Sequence, residues 1–420
     1  MLAQIPIPMK IFKFFLLFIV LWWATSCSVK PSLSPIPDGY EQTLILVSFD
    51  GCRYDYPDSA ATPALDQMEE KGIKANGLKT VFPSKTFPNH LSIVTGLYPE
   101  HHGIISNKIY DAQTGDWYKL SNGAPAESKW YHGEPIWVTA EKQGLKTATF
   151  FWPGSEAEIA GHRPTYWKPY KGKTPYKDRV NQVLKWLDLP KAERPRLISL
   201  YFDEPDHAGH KYGPQSPESL LALERVDSQL VALWAGIQER KLDGVVNMMV
   251  VSDHGMTQLS RDSVIFLDDY INMNDVKVVD WSPVTAIRPL AGYEDAVYAA
   301  LKGAHPKMQV YKKGEVPEKY HYNNNEFIQP IVAIADLHWT IGQKSYFNSH
   351  PHVATGGTHG FDPDFKDMNG IFYAQGPAFK TGYEAPLIQN IHLYELMCRI
   401  LSIDAAQNDG DAKKTLELMR

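Results

Sequence analysis

Four short apolar runs, separated by stretches with helical periodicity, constrain the fold of this chain most strongly. The runs lie at 43–49, 147–151, 197–202 and 245–252. A nearly continuous apolar run of this length is typical of a parallel strand that is buried on both faces. The clearest helical patterns lie at 63–72, 176–187 and 217–240. Strands that alternate with helices predict an α/β fold of three layers, α/β/α, with a mostly parallel central sheet.

The size and charge of the chain narrow the classes of function. The chain has 420 residues, of which 44% are hydrophobic, which suffices for one large α/β domain or two smaller ones. Its formal net charge of −6 argues against a basic groove for nucleic acid. A small anionic substrate stays compatible with this charge, because bound metal ions would supply local positive charge.

The amino terminus has the pattern of an export signal. Lysines precede an apolar run at 14–23, and small residues follow it up to Cys27. The pattern predicts a signal or lipoprotein peptide over 1–27, since the run is short for a membrane-spanning helix. Small residues before a cysteine favour a bacterial lipoprotein with its lipid anchor at Cys27, and ordinary signal cleavage nearby is the alternative. We therefore expect an exported protein, periplasmic or anchored to the outer membrane of a bacterium, with no other membrane contact.

The rest of the chain divides by composition. The Ser/Pro-rich segment 28–40 is typical of a tether, and 41–405 is predicted to be the main domain. Within it, the irregular, aromatic-rich and Lys-rich stretch 290–345 suggests a small inserted subdomain, and the polar segment 406–420 suggests a peripheral tail. Cys52 and Cys398 permit at most one disulfide, and their wide spacing excludes a zinc cluster built from thiolates.

Acidic residues follow three of the predicted strands. Asp50, Asp206 and Asp253 each lie at or just beyond a strand's carboxyl end, the edge at which open parallel sheets bind ligands. A single aspartate at this position usually caps a helix or a turn. Three of them would repel one another unless a cation neutralised them. The consecutive Asp253 and His254, followed by a flexible Gly255, can both reach one ion.

The segment 201–214 offers two equally spaced metal-binding pairs. Asp203 with His207, and Asp206 with His210, are both separated by four residues. On a helix or a turn, either pair can chelate one metal ion. Spacing does not choose between them.

A Gly-rich loop contributes one further histidine. His359 lies in the sequence Thr355-Gly-Gly-Thr-His-Gly, where most histidines are inert. His350 and His352 lie close by and are equally plausible ligands from composition.

Thr86 follows a Pro-flanked loop and precedes an apolar helix predicted at 91–97. Backbone N–H groups at a helix amino terminus favour anions. A hydroxyl becomes a nucleophile when a metal ion activates it. Thr86 is therefore either a helix cap or a candidate nucleophile.

Together these motifs resemble the nucleotide pyrophosphatase/phosphodiesterase family of the alkaline phosphatase superfamily, in a bacterial member. The resemblance extends from about residue 43 to residue 400. Its blocks are SFDGCRYDY at 48–56, the stretches 83–111, 133–156 and 201–214, SDHGM at 252–256 and GGTHGFDP at 356–363. The resemblance implies an alkaline phosphatase-like fold and a cofactor of two zinc ions.

The resemblance also implies a set of metal ligands. One zinc ion is held by Asp50, Asp253, His254 and the Thr86 oxygen. The other is held by Asp206, His210 and His359. On this interpretation, the residues that are not ligands are Asp203, His207, His350 and His352. Thr86 attacks phosphorus to give a phospho-threonine intermediate, and Asn107 donates a hydrogen bond to a phosphate oxygen.

The expected substrate is a small molecule, a nucleotide or another phosphodiester. Phe87 and Tyr170 match the aromatic pair that stacks on a nucleobase in nucleotide-cleaving members of the family. Further pocket positions are matched by Trp152, Glu156 and Tyr201. The segment 120–125 lacks the lysine that grips distal phosphates in triphosphate-cleaving members.

The leading hypothesis is a phosphoric diester hydrolase that cleaves phosphodiester or pyrophosphate bonds of nucleotides and releases a nucleoside 5′-monophosphate. One alternative keeps the chemistry but acts on lysophospholipids, glycerophosphodiesters or phosphonates. The remaining alternative is a binding protein without catalysis.

Overall fold

The structure of the chain is a computed structural model that describes residues 41–420. The predicted signal peptide, the tether and Cys27 lie outside the described residues. We number strands and helices in chain order.

The strands are β1 (Thr43–Phe49), β2 (Ile73–Ala75), β3 (Leu78–Lys79), β4 (Lys108–Tyr110), β5 (Trp117–Lys119), β6 (Thr147–Phe150), β7 (Tyr166–Lys168), β8 (Leu197–Phe202), β9 (Val246–Val251), β10 (Thr257–Gln258), β11 (Val264–Phe266), β12 (Val276–Asp280), β13 (Val284–Pro289), β14 (Met308–Lys312), β15 (Ile331–Ala335), β16 (Thr340–Gly342), β17 (Gly357–Thr358), β18 (Phe372–Gln375), β19 (Tyr383–Ala385) and β20 (Ile388–Gln389). The α-helices are α1 (Pro63–Lys71), α2 (Thr86–Thr95), α3 (Pro99–His102), α4 (Ile136–Lys142), α5 (Tyr176–Leu187), α6 (Asp206–Tyr212), α7 (Pro217–Glu239), α8 (Glu294–Leu301), α9 (Lys344–Ser349) and α10 (Leu393–Leu401).

A large, mostly parallel sheet forms the centre of the molecule. Its strand order is β19-β2-β18-β9-β1-β8-β6-β7. The neighbouring strands are parallel except at β18, which runs antiparallel to both β9 and β2. The four strands predicted from apolar runs are β1, β6, β8 and β9, and they lie side by side.

Helices cover both faces of this sheet. Along β1, Leu44 and Leu46 belong to the core beneath α2, α4 and α10. The alternate residues Ile45 and Val47 belong to the opposite core beneath α1, α5 and α7. Successive side chains of a strand point to opposite faces, and both faces of β1 are buried, so β1 must be apolar throughout. The predicted three-layer α/β/α architecture is confirmed.

The helix after the Pro-flanked loop begins earlier than predicted. We expected it at 91–97, but α2 starts at Thr86 and ends at Thr95. Pro88 lies in its first turn, where the missing N–H costs no helical hydrogen bond. The helix ends because Gly96 adopts a left-handed conformation with φ of 68°.

A second, smaller sheet is built from β12, β13, β15 and β14, in that order, with antiparallel neighbours. It has its own hydrophobic core, which includes Ile287, Val310 and Ile331. Its first strands precede residue 290, so the expected segment 290–345 contains only part of it. The division of the chain into a catalytic domain, an inserted subdomain and a tail stays a prediction.

The two described cysteines do not form the disulfide that their number would permit. Cys52 and Cys398 are both buried free thiols. They belong to cores on opposite faces of the central sheet, which keeps them apart.

Candidate metal centre and active site

The three predicted aspartates meet at one edge of the central sheet. Asp50 directly follows β1, Asp206 begins α6 after β8, and Asp253 follows β9. Because β8 and β9 are both hydrogen-bonded to β1 in parallel, their carboxyl ends meet at the same edge. The sheet order therefore brings the three carboxylates together.

The predicted histidines complete this cluster. His254 Nε2 lies 3.4 Å from Asp50 Oδ1 and 3.1 Å from Asp253 Oδ2. Asp206 Oδ1 lies 3.4 Å from His210 Nε2 and 3.8 Å from His359 Nε2. The rings of His254 and His359 stack with centroids 3.4 Å apart, which joins the two groups into one site. All six predicted Asp and His ligands are thus in one place.

The carboxylates have oxygens that no hydrogen-bond donor satisfies. Among the described residues, nothing donates to Asp50 Oδ1, Asp206 Oδ1 or Asp253 Oδ2, although these atoms are buried. The partner oxygens are held, since Tyr201 donates to Asp50 Oδ2 at 2.5 Å and the Gly51 N–H donates to Asp253 Oδ1 at 3.1 Å. A buried, unpaired carboxylate oxygen is costly unless a cation neutralises it.

The three histidines of the cluster are oriented with Nε2 toward these carboxylate oxygens. His254, His210 and His359 each place Nδ1 within 2.9 Å or less of a backbone carbonyl oxygen. The carbonyls belong to Gly255, Gly357 and Ser84, respectively. A ring that donates from Nδ1 has an unprotonated Nε2, which is the usual state of a metal-ligating histidine. Imidazole and carboxylate lone pairs therefore face each other, and this set of ligand atoms fits divalent zinc.

The acid–base properties of the cluster follow from burial. Burial, with repulsion among the three carboxylates, raises the pKa values of Asp50 and Asp206 well above their ordinary range. Burial also raises the pKa of Asp253 to about 7. Burial lowers the pKa values of His254 and His359. His254 and His359 are therefore neutral and available as ligands, and the carboxylates need a cation to be ionised at neutral pH.

Thr86 points into this cluster. It is the first residue of α2, and the capping position belongs to Lys85, which has extended backbone angles and makes no side-chain cap. Thr86 Oγ1 instead lies 3.2 Å from His254 Nε2. The structure therefore does not use Thr86 as a helix cap.

Asn107 lies beside Thr86 and has a fixed orientation. Its Oδ1 accepts a hydrogen bond of 2.9 Å from the Phe87 N–H. The amide oxygen is thereby occupied, which leaves the Nδ2 donor of Asn107 for a ligand.

An open cleft of about 530 Å³ leads to the cluster. The predicted pocket residues Phe87, Tyr170, Trp152, Glu156 and Tyr201 all line it. Tyr170 is 50% exposed, and its backbone N–H donates to Glu156 Oε1 at 2.7 Å. Trp152 and Tyr201 are buried and bond to His90 and Asp50. Phe87 and Tyr170 are thus the aromatic side chains best placed to contact a ligand.

Asp203 and His207, which the resemblance implies are not ligands, take no part in the cluster. Asp203 and His207 line the cleft, but Asp203 Oδ1 accepts hydrogen bonds from Arg179 and Tyr176. Neither residue belongs to a possible metal group within the described range.

The two histidines that precede the Gly-rich loop also lie outside the cluster. His350 and His352 are exposed, and His350 Nδ1 lies 2.9 Å from the Tyr346 carbonyl oxygen. Among residues 41–420, neither is grouped with other metal-ligating side chains.

His90 is a site residue that the sequence reasoning missed. Its Nδ1 lies 2.9 Å from the Thr86 carbonyl oxygen, and its Nε2 lies 2.8 Å from Ser48 Oγ. His90 Nδ1 is 3.3 Å from Asp253 Oδ2, and His90, Asp50 and Asp253 form a group that could hold a metal ion. Because both ring nitrogens have other partners, we assign His90 to holding α2 and not to a metal. The signal was its position four residues after Thr86 on a helix.

Comparison with known proteins gives consistent matches. The model of the family described as type I phosphodiesterase/nucleotide pyrophosphatase matches residues 44–362. Human ectonucleotide pyrophosphatase/phosphodiesterase family member 5 is 36% identical over 408 residues, covering 97% of this chain and 83% of that protein. Murine ectonucleotide pyrophosphatase/phosphodiesterase 5, solved as an inactive Thr-to-Ala variant with AMP, has a TM-score of 0.86 at 37% identity. That match covers 91% of this chain and 100% of the solved one, and it confirms the alkaline phosphatase-like fold.

Venom phosphodiesterase of Macrovipera lebetinus is 40% identical over 401 residues. The match covers 93% of this chain and 46% of the venom protein, so the chain spans about half the length of that relative.

These relatives correct one prediction. We expected a bacterial protein of the periplasm or outer membrane, but relatives of this chain come from snakes, human, mouse and rat and are described as venom or ectonucleotide enzymes. The predicted bacterial location is therefore wrong. It rested on a lipoprotein motif at Cys27, outside the described residues. Among residues 41–420, no helix combines the length and apolarity needed to span a bilayer.

Proposed function

The chain belongs to the type I phosphodiesterase/nucleotide pyrophosphatase family, and on this premise we propose that it is a two-zinc hydrolase of nucleotides. Its reaction is cleavage of a phosphodiester or pyrophosphate bond with release of a nucleoside 5′-monophosphate. Thr86 is the nucleophile, and the reaction passes through a phospho-threonine intermediate.

One observation carries the proposal. Buried, unpaired oxygens of three carboxylates meet the Nε2 atoms of three histidines, with the Thr86 hydroxyl at the same point. Asp50, Asp253, His254 and Thr86 form one zinc site of the proposal, and Asp206, His210 and His359 form the other. When bound, zinc ions lower the pKa of a coordinated hydroxyl and stabilise charge on phosphate oxygens.

The protein residues then have separate roles. The Thr86 hydroxyl releases its proton to solvent, Oγ1 attacks phosphorus in line, and a new P–O bond forms. The bond to the leaving group breaks, and the leaving group departs with the electron pair. Asn107 Nδ2 donates to a phosphate oxygen, because its own carbonyl is held by the Phe87 N–H. His90 binds the Thr86 carbonyl and so keeps the first turn of α2 in place. Water subsequently releases the nucleoside monophosphate from Thr86.

The nature of the substrate is supported by the cleft and by the relatives. A murine relative binds AMP and is inactive when a threonine is replaced by alanine. In the present chain, Phe87 and Tyr170 line the cleft, and aromatic rings stack on any nucleobase.

The resemblance places a phosphate-gripping lysine of triphosphate-cleaving members in the segment 120–125. In this chain, that segment contributes Leu120, Gly123 and Pro125 to the lining of the cleft, and none of them carries charge. We therefore propose simple nucleotide diesters as better substrates than nucleoside triphosphates.

The proposed function is tested with two chromogenic esters. We expect efficient cleavage of p-nitrophenyl thymidine monophosphate and poor cleavage of p-nitrophenylphosphorylcholine. The opposite order would favour a lysophospholipid or glycerophosphodiester substrate, and cleavage of neither would favour a binding protein.

The nucleophile is tested by Thr86→Ala. This variant should lose turnover by roughly 10³-fold or more while it retains zinc, since the six Asp and His ligands remain. Unchanged turnover in this variant would refute the mechanism.

A further inference from the structure

A carboxylate from the second sheet reaches the loop that carries Thr86. Asp280 is the last residue of β12. Its Oδ2 accepts hydrogen bonds from Lys85 Nζ at 2.6 Å and from Ser106 Oγ at 2.5 Å. Lys85 Nζ also donates to Ser106 Oγ at 3.2 Å. We call these three residues the Asp280 clamp.

The clamp joins the two residues that precede the proposed catalytic groups. Lys85 directly precedes Thr86, and Ser106 directly precedes Asn107. The single oxygen Asp280 Oδ2 therefore fixes the distance between the two loops.

Burial makes this contact strong. The Lys85 side chain is 9% exposed and that of Asp280 is 16% exposed, so solvent and salt screen the pair little. The other oxygen, Asp280 Oδ1, accepts the Trp281 N–H at 3.0 Å, which prevents the carboxylate from rotating away. A pair of this kind holds a defined geometry, because losing one partner leaves a buried charge without compensation.

The nucleophile loop is held on its other side by a ligand loop. The Ser84 carbonyl accepts from His359 Nδ1 at 2.8 Å, and Ser84 Oγ donates to the Phe361 carbonyl oxygen at 2.8 Å. Neither contact reaches Asn107. Within the described residues, the clamp ties Lys85 and Ser106 to one atom, and the Phe87–Asn107 bond continues the connection.

We propose that Asp280 is a positioning residue for the reaction: it sets Thr86 against Asn107 so that attack and hydrogen bonding act on the same phosphate. This inference rests on the proposed function. It also gives the second sheet a role, which is to supply a fixed anchor for the nucleophile loop.

The central experiment compares Asp280→Asn with a matched control, Asp295→Asn. Asp295 pairs with Lys312, also beside the second sheet, but it is 94% exposed. Asp280→Asn should lower kcat for p-nitrophenyl thymidine monophosphate roughly 10- to 100-fold, because small misplacements of reacting groups cost that much. KM and zinc content should change little. The control should leave kcat and the thermal midpoint unchanged.

A double variant separates positioning from stability. In Lys85→Met with Asp280→Asn, no charge is left buried without a partner, so the thermal midpoint should return toward that of the wild type. The kcat should stay low, because the link between the loops is still absent. Recovery of kcat together with stability would overturn the positioning role, as would wild-type kcat in Asp280→Asn.

Hydrogen–deuterium exchange tests the clamp without activity. Amides of 84–87 and 104–108 should exchange faster in Asp280→Asn than in Asp295→Asn. Equal exchange in both variants would overturn the clamp. If the wild type cleaves no ester, the proposed function fails, and the exchange result still decides whether Asp280 holds the two loops.

Discussion

Thr86 Oγ1 and His254 Nε2 lie 3.2 Å apart, although 168 positions separate the two residues in the chain. His254 Nδ1 is engaged with the Gly255 carbonyl, so the unprotonated Nε2 accepts from the Thr86 hydroxyl. The hydroxyl is thereby directed at the carboxylate cluster. This contact places the proposed nucleophile within the proposed metal site and not at its edge.

Asp206→Asn and Asp203→Asn test whether Asp206 with His210, and not Asp203 with His207, binds the metal ion. The first variant should lose zinc from the site that it shares with His210, and most of its activity with it, because a neutral amide binds zinc far more weakly than an ionised carboxylate does. Asp203→Asn should retain the wild-type zinc content. Metal analysis per chain checks both, and equal zinc loss in the two variants would contradict the ligand assignment.

His90 is expected to affect the reaction without binding metal. His90→Phe removes the side-chain contact with the Thr86 carbonyl and leaves the buried Ser48 Oγ without its partner, which costs about 1–3 kcal/mol for the unpaired hydroxyl. The kcat should fall, and the zinc content should stay. The control is His102→Phe, since His102 is equally buried and bonds to Ser92 and to the Pro88 carbonyl. The control should lose comparable stability, and an equal loss of kcat there would count against a specific role for His90.

The stability of the metal-free protein should depend on pH through the carboxylate cluster. Burial raises the pKa of Asp253 to about 7, whereas an unfolded aspartate titrates near about pH 4. Between these values the folded chain keeps a proton that the unfolded chain has released. The free energy of unfolding therefore falls as pH rises through this window, by up to about 4 kcal/mol from this group.

Urea unfolding of the metal-free protein at about pH 5 and about pH 7.5 measures this effect. Asp253→Asn has no such proton and should show a weaker pH dependence. Added zinc should restore stability at the higher pH, because the ion replaces the proton. The buried histidines, whose pKa values are lowered, contribute in the opposite direction in both proteins, so the comparison of the two proteins isolates Asp253. An equal change in the free energy of unfolding in the wild type and in Asp253→Asn would contradict the prediction.

The proposed stacking of Tyr170 on the nucleobase is tested by Tyr170→Ala. Stacking on a base contributes about 1–3 kcal/mol, so KM for the thymidine ester should rise roughly 5- to 100-fold. The kcat for bis(p-nitrophenyl) phosphate, which has no base, should change little. Tyr293→Ala is the control, because Tyr293 is 44% exposed and lies outside the cleft.

Most of the fold was predictable because the central sheet is buried on both faces. That burial requires strands such as 43–49 to be apolar throughout, and the requirement is visible in the sequence. The start of α2 was missed because Pro88 suggested a loop, whereas its position in the first helical turn is compatible with a helix. The second sheet was placed only in part. Its strands β12 and β13 precede residue 290, where the predicted subdomain began, and β12 and β14 mix polar with apolar residues and so show no continuous apolar run.

The sequence by itself determined the kinds of residue available for chemistry and the strands that carry them: aspartates after β1, β8 and β9, histidines beside them, and a threonine before a helix. Its motifs, as a family resemblance, also gave the ligand set that the structure brings to one place. Only the tertiary structure decided which groups meet. Sheet order sets the distance between Asp50, Asp206 and Asp253, and the fixed Nδ1 contacts aim the imidazoles. The contacts of His90 and Asp280 with the nucleophile loop join residues far apart in the chain, and such contacts leave no periodic pattern in the sequence.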